Sequence, residues 1–256
     1  MIEDYTQNPD LQKIRIVLVE TSHPGNIGAV ARAMKNTGLS QLYLVNPKDY
    51  PSPVASARAS SARDILESAT VVETLAEALE GTQMVFGASA RLRKVSWPQV
   101  DARETADVAM KWLREEDAID NKQIALVFGR EDSGLTNSEL DMCNYLAHIP
   151  TNPAYSSLNL SQAVQVFAYE MMMATNIQAV HAKGYRHKLA SSDQLEGLYE
   201  HMFEALQDVE FLDPAKNARF MRRMRRLFNR AQLDIKEVDI LRGVMRAMQR
   251  KVAKGD

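Results

Sequence analysis

Cys143 is the only cysteine in 256 residues. A lone cysteine forms no internal disulfide and offers no paired metal-ligand spacing, so a disulfide scaffold is excluded and a reducing cytoplasm is the expected compartment. The five histidines are dispersed and no H-E-x-x-H occurs, so no metal is expected. G-x-G-x-x-G is missing, which speaks against a nicotinamide-dependent dehydrogenase, and G-x-x-x-x-G-K-[ST] is missing, which speaks against a P-loop enzyme. There is no G-x-S-x-G nucleophile elbow either. No apolar run reaches the roughly 18 residues of a membrane span, so no membrane partner is expected. The N-terminal MIEDYTQNPDLQK is polar and acidic and does not read as a signal peptide.

What is present is a globular composition, 45% hydrophobic and 25% charged, with a charge asymmetry inside a net charge of −2. Residues 215–256 carry +9 and the remainder −11. An acidic body with a basic tail points either to a polyanionic partner for the tail or to a solvated helix surface.

Short aliphatic runs alternate with helical patterns. Residues Ile14 to Val19, Gln41 to Val45, Thr70 to Thr74, Met84 to Ala88, Ile124 to Phe128 and Tyr145 to Ile149 read as buried strands of a mostly parallel sheet. From Asn26 to Thr37, Ile27, Val30, Ala31 and Met34 fall on one helix face, and Gly38 suits the position after the helix. Further helices are predicted at Ala59 to Ser68, Leu75 to Leu79, Ala106 to Glu115 and Asn137 to Asn144. A helix from Ser156 to Ala174 is apolar on almost every side and therefore buried, with a second subunit as one source of that burial. The pattern predicts an α/β domain over 1–175, a linker over 176–192, and a helical extension over 193–256. In that extension Phe203, Leu206, Phe220, Met224, Leu227, Phe228, Ile240, Leu241, Val244 and Met248 are the expected core.

Three segments stand out chemically. HPGNIGAVARAMK (23–35) opens a helix directly after a strand, where unpaired N–H groups attract anions. Its Arg32 lies off the apolar stripe and faces a site or solvent. LVFGREDSGL (126–135) ends a buried strand in glycine, where α/β sheets gather ligands, although a plain turn has the same composition. Gly129 there allows close approach to the backbone. IPTNPAYSSLNL (149–160) is a dense polar turn before a helix, in which Ser156 or Ser157 either caps the helix or meets a ligand.

In order and spacing these three segments resemble the three motifs of the SPOUT superfamily in its TrmH-like branch, the RNA ribose 2′-O-methyltransferases. The resemblance runs through ETSHPGNIGAVARAMKNTGL, LYLVNP, GASAR, ALVFGREDSGLTNSEL and NPAYSSLNLSQAVQVFAYE, and more weakly through RRLFNRA and ILRGV. It implies a C-terminal trefoil knot in the α/β domain, a feature no periodicity encodes. It implies S-adenosylmethionine as cofactor, held by Ala88, Ser89, Ala90, Gly129, Ile149, Ser156, Ser157 and Leu158. Arg32 and Asn26 match the first motif, Glu131 the second, and Ser157 and Asn159 the third, all as catalytic positions. The implied reaction is methylation of nucleotide 32 in the tRNA anticodon loop by a homodimer. Another tRNA or rRNA nucleotide, or non-catalytic RNA binding on the same scaffold, remains as an alternative. On a helix, Arg219, Arg222, Arg223, Arg226 and Arg230 form one basic face suited to tRNA phosphates, to which Arg91, Arg93 and Lys94 are expected to add.

Overall fold

The computed structural model describes residues 8–90, 98–115, 121–175, 188–212 and 217–253. Arg91, Arg93, Lys94 and most of the 176–192 linker lie outside the described residues.

Seven parallel strands form one sheet in the order β3-β2-β1-β6-β4-β7-β5. The strands are β1 (Ile14–Val19), β2 (Gln41–Val45), β3 (Thr70–Val72), β4 (Met84–Ala88), β5 (Gln99–Asp101), β6 (Ile124–Phe128) and β7 (Tyr145–His148). Every residue of β1 and β6 is buried, as a parallel sheet covered on both faces requires. Ile14, Ile16 and Leu18 face one apolar cluster with α1 (Pro24–Asn36), α2 (Pro53–Ala59), α3 (Arg63–Glu67), α5 (Ala102–Arg114) and α7 (Leu160–Ala174). Val17 and Val19 face the other, with α4 (Leu75–Leu79) and α6 (Asn137–Leu140).

Several boundaries differ from those read in the sequence. Helix α1 starts two residues early, because Pro24 pre-sets the first turn and the His23 ring caps it, accepting from the Gly25 N–H at 3.0 Å. The expected 59–68 helix is divided: α2 ends at Ala59, and Ser60, with φ of 55°, turns the chain before α3. Helix α5 begins at Ala102 through a capping box of Asp101 and Glu104. Strand β5 was not anticipated, since three residues carry no readable period. Neither Ser156 nor Ser157 caps α7; Asn159 does, accepting from Ser161 N–H at 2.9 Å.

Helices α8 (Ser192–Asp208), α9 (Asn217–Ala231) and α10 (Ile235–Val252) form the tail. Their core holds Leu195, Leu198, Tyr199, Met202 and Met245, with Leu206, Met224, Phe228 and Leu241 packed against it. Leu227, Ile240 and Val244, expected inside, are exposed. Phe203, Phe220 and Met248 stay at the margin. The larger inward side chains of α8 fill the space instead.

The tail is fastened to the body through polar contacts. Asn229, buried on α9, donates to the Asp141 carbonyl at 2.9 Å and accepts from the Tyr199 hydroxyl at 2.5 Å. Its carbonyl accepts from Asn144 Nδ2 at 3.3 Å. Arg222 pairs with the Asp141 carboxylate at 2.9 Å, which opposes the upward push of burial on that carboxyl.

Candidate active site

The carboxyl ends of β4, β6 and β7 open into a cavity of about 260 Å³. Ala88, Ser89 and Ala90 supply one wall, Gly129 to Leu135 a second, and Ile149, Thr151 and Ser156 to Leu158 a third. Thus all eight residues singled out for the cofactor line one cavity. The sequence reading missed its apolar floor, Phe128, Leu160, Ala163 and Phe167. Phe128 and Phe167 meet edge to face at 5.7 Å. These looked like ordinary core residues because they are that as well; only the strand-end position of Phe128 hinted at more.

Gly129 is required for a different reason from the one expected. A Cβ there would lie 2.2 Å from the Gly134 carbonyl carbon. The close neighbour is the chain's own backbone, held by reciprocal hydrogen bonds between Arg130 and Gly134 of 3.2 and 2.9 Å.

Beside the cavity, the three motifs are joined by hydrogen bonds. The Glu131 Oε2 accepts from the Ser22 N–H at 3.0 Å and from its hydroxyl at 2.9 Å. Its Oε1 accepts from Asn26 Nδ2 at 2.8 Å and from the His23 N–H at 3.4 Å. Asn26 Oδ1 in turn accepts from Asn159 Nδ2 at 3.2 Å. Burial pushes the Glu131 carboxyl up, but the bonds from Asn26 and Ser22 outweigh it and hold the group below the usual carboxylate range. A carboxylate so held, with four donors on two oxygens, is a poor proton acceptor and a good clip. Ser22 was missed by the sequence reading; its place just before a proline-initiated helix was the available signal.

Arg130 makes a second clip on the far side of the same turn. It pairs with Glu20 at 2.6 Å and Glu139 at 3.0 Å, and both carboxylates raise its pKa. Successive residues thus hold the 129–135 wall to the end of β1 and to the start of α6.

Arg32 is not brought into the cavity. It is exposed on α1, with no hydrogen bond or ion pair among the described residues. In the tail, Arg219, Arg223 and Arg230 are exposed, whereas Arg222 is engaged with Asp141 and Arg226 Nε donates to the Arg222 carbonyl at 3.4 Å. Of the expected five-arginine face, Arg219, Arg223 and Arg230 are thus the members without a partner among the described residues. Among the described residues no cluster of three His, Cys, Asp or Glu is arranged to hold a metal ion, and no helix is long and apolar enough to cross a membrane.

A seven-stranded parallel sheet with a cavity at its carboxyl ends, walled by three polar turns, agrees with the family comparisons. Residues 13–169 match the model of the SpoU rRNA Methylase family; the chain belongs to that family, and its chemistry is methyl transfer. Within it, residues 193–256 match the C-terminal domain of the tRNA methyltransferase TrmJ. The chain is 48% identical, over 96% of both chains, to the tRNA (cytidine/uridine/adenosine-2′-O-)-methyltransferase TrmJ of Pseudomonas aeruginosa strain UCBPP-PA14. It is 46% identical to the tRNA (cytidine/uridine-2′-O-)-methyltransferase TrmJ of Pectobacterium atrosepticum, over 94% of this chain and 98% of that one. The crystal structure of TrmJ from Z. mobilis ZM4 superposes with a TM-score of 0.79 at 30% identity, covering 92% of this chain and 98% of that one.

Proposed function

We propose that this chain transfers the methyl group of S-adenosylmethionine to a ribose 2′-hydroxyl of tRNA, at nucleotide 32 of the anticodon loop. The observation that carries the reading is the convergence of Ala88–Ala90, Gly129, Ile149 and Ser156–Leu158 on one cavity. Its chemistry fits the cofactor: apolar Leu160 and Phe167 to cover an adenine face, and backbone and hydroxyl groups of the three turns for its polar edges. Bound there, the sulfonium supplies an electrophilic methyl group.

The protein's own groups do the rest. Glu131, Asn26 and Asn159 hold the 129–135 wall and the start of α7 to the start of α1, so that a hydroxyl entering the mouth meets a preorganised site. Arg32 offers a cationic fork of N–H donors and no acceptor atom. It acts electrostatically, holding a neighbouring phosphate and stabilising negative charge that develops on the attacking oxygen. Its exposure suits a group that meets RNA. We read 1–175 as the catalytic domain and 193–256 as an RNA-binding extension, with Arg219, Arg223 and Arg230 facing phosphate. Tyr169 and Met173, exposed one turn apart on α7, suit a homodimer contact.

The test is incubation with labelled S-adenosylmethionine and total tRNA, followed by mapping of the label. The expected result is a 2′-O-methyl group at nucleotide 32. Label on another nucleotide removes the assigned target, and no label on any RNA overturns the reading.

A further inference from the structure

Tyr155 is 79% exposed, yet the chain on either side of it lines the cavity, at Thr151 and at Ser156. Leaving an aromatic ring in water forfeits the burial that usually places such rings inside. The ring is nonetheless held on an ordered turn. Its N–H donates to the Asn152 carbonyl at 2.9 Å, and the Ala154 N–H donates to Asn152 Oδ1 at 3.0 Å. The Thr151 hydroxyl donates across the turn to the Ser156 carbonyl at 3.4 Å. Among the described residues Tyr155 makes no ring–ring or cation–π contact, and its hydroxyl has no hydrogen bond. The fold therefore leaves a flat ring exposed on the turn between two residues that line the cavity, Thr151 and Ser156.

We propose that Tyr155 is the stacking platform for the base of the nucleotide whose ribose is methylated. This rests on the ribose-methylation reading above. The base is joined to the carbon next to the one bearing the 2′-hydroxyl, so a ribose seated at the cavity mouth carries its base within reach of the rim. Single-stranded RNA loops are recognised by stacking of splayed bases on aromatic side chains. Every base has a π-face, so such a platform tolerates sequence. A stacking contact at this point accepts cytidine and uridine alike, where a hydrogen-bonded pocket would separate them.

The experiment compares Tyr155→Ala, Tyr155→Phe and Tyr155→Trp in the full-length protein. For Tyr155→Ala, kcat/KM for tRNA is expected to fall about 10-fold or more, as loss of one stacked base predicts. The Phe and Trp variants retain most activity, and the affinity of all three for S-adenosylmethionine is unchanged. An anticodon stem-loop with 2-aminopurine at the target position is expected to be quenched on binding the wild-type protein and much less by Tyr155→Ala. Equal activity or equal quenching in wild type and Tyr155→Ala overturns the proposal. So does a change of oligomeric state in Tyr155→Ala, which assigns the ring to a subunit contact. If the wild-type protein itself methylates no RNA, the functional reading has failed rather than the platform.

Discussion

In the α/β body Arg130 lies between Glu20 and Glu139, whereas in the tail Arg219, Arg223 and Arg230 face solvent without an ion pair among the described residues. Arg130 closes a turn of the body while these three tail arginines stay open, although the tail also closes Arg225 on Glu196. Arg32 belongs to the body and is left open like those tail arginines, as are Arg58 and Arg63. Arg222 is the converse, a tail arginine closed on Asp141 of the body. An arginine's sequence neighbourhood does not say whether it serves the fold or a ligand; its carboxylate partners do.

That contrast can be broken at its strongest point by Arg32→Ala. Turnover is expected to fall about 100-fold or more, with thermal unfolding unchanged because the side chain has no partner to lose among the described residues. Near-normal methyl transfer would show that Arg32 serves neither the phosphate nor the attacking oxygen. Next in size is Asn229→Ala, which leaves the Tyr199 hydroxyl and the Asp141 carbonyl without their partner. Urea unfolding should report a loss of about 1–3 kcal/mol. By contrast, Arg230→Ala on the same helix should lie within about 0.5 kcal/mol of wild type while reducing the salt slope of tRNA binding by about one. Equal stability losses in the two would mean that the fastening of α9 is not where the structure puts it.

A smaller loss than that of Asn229→Ala is expected at the Glu131 clip. Its folded-state pKa lies below the ordinary value, so the carboxylate contributes stability above the usual carboxylate range and loses it as the pH falls through its lowered folded value. Glu131→Gln should remove about 1 kcal/mol near neutrality and flatten the stability curve on the acid side. The pH profile of kcat should keep its shape, since Glu131 is assigned no proton transfer. A lost acid limb in that profile would make Glu131 a base rather than an orienter.

Much of the body was legible from residues alone. Strands such as IRIVLV and IALVF are aliphatic throughout because both faces of the sheet are covered, and that shows in composition. The capped starts of α5 and α10 were less visible, because a capping box is read only once the strand or turn before it is known. In the tail, prediction of the core failed at Leu227, Ile240 and Val244. Three helices offer several apolar faces, and which of them turns inward depends on packing angles that periodicity does not encode.

The sequence by itself determined which residues are chemically available and in what order: a parallel α/β body, three polar turns at strand ends, and a basic tail. Local pattern suffices for these, because burial and turn chemistry act over a few residues. A threaded chain was implied only by family resemblance, since no period records which loop passes through which. Tertiary structure alone decided that Glu131 is clipped by Ser22 and Asn26 from more than a hundred residues away, and that Arg222 is closed while Arg32 is open. Partners so distant in the chain meet only when the sheet order β1-β6-β4-β7 brings the strand ends together, and that order is a property of the whole fold.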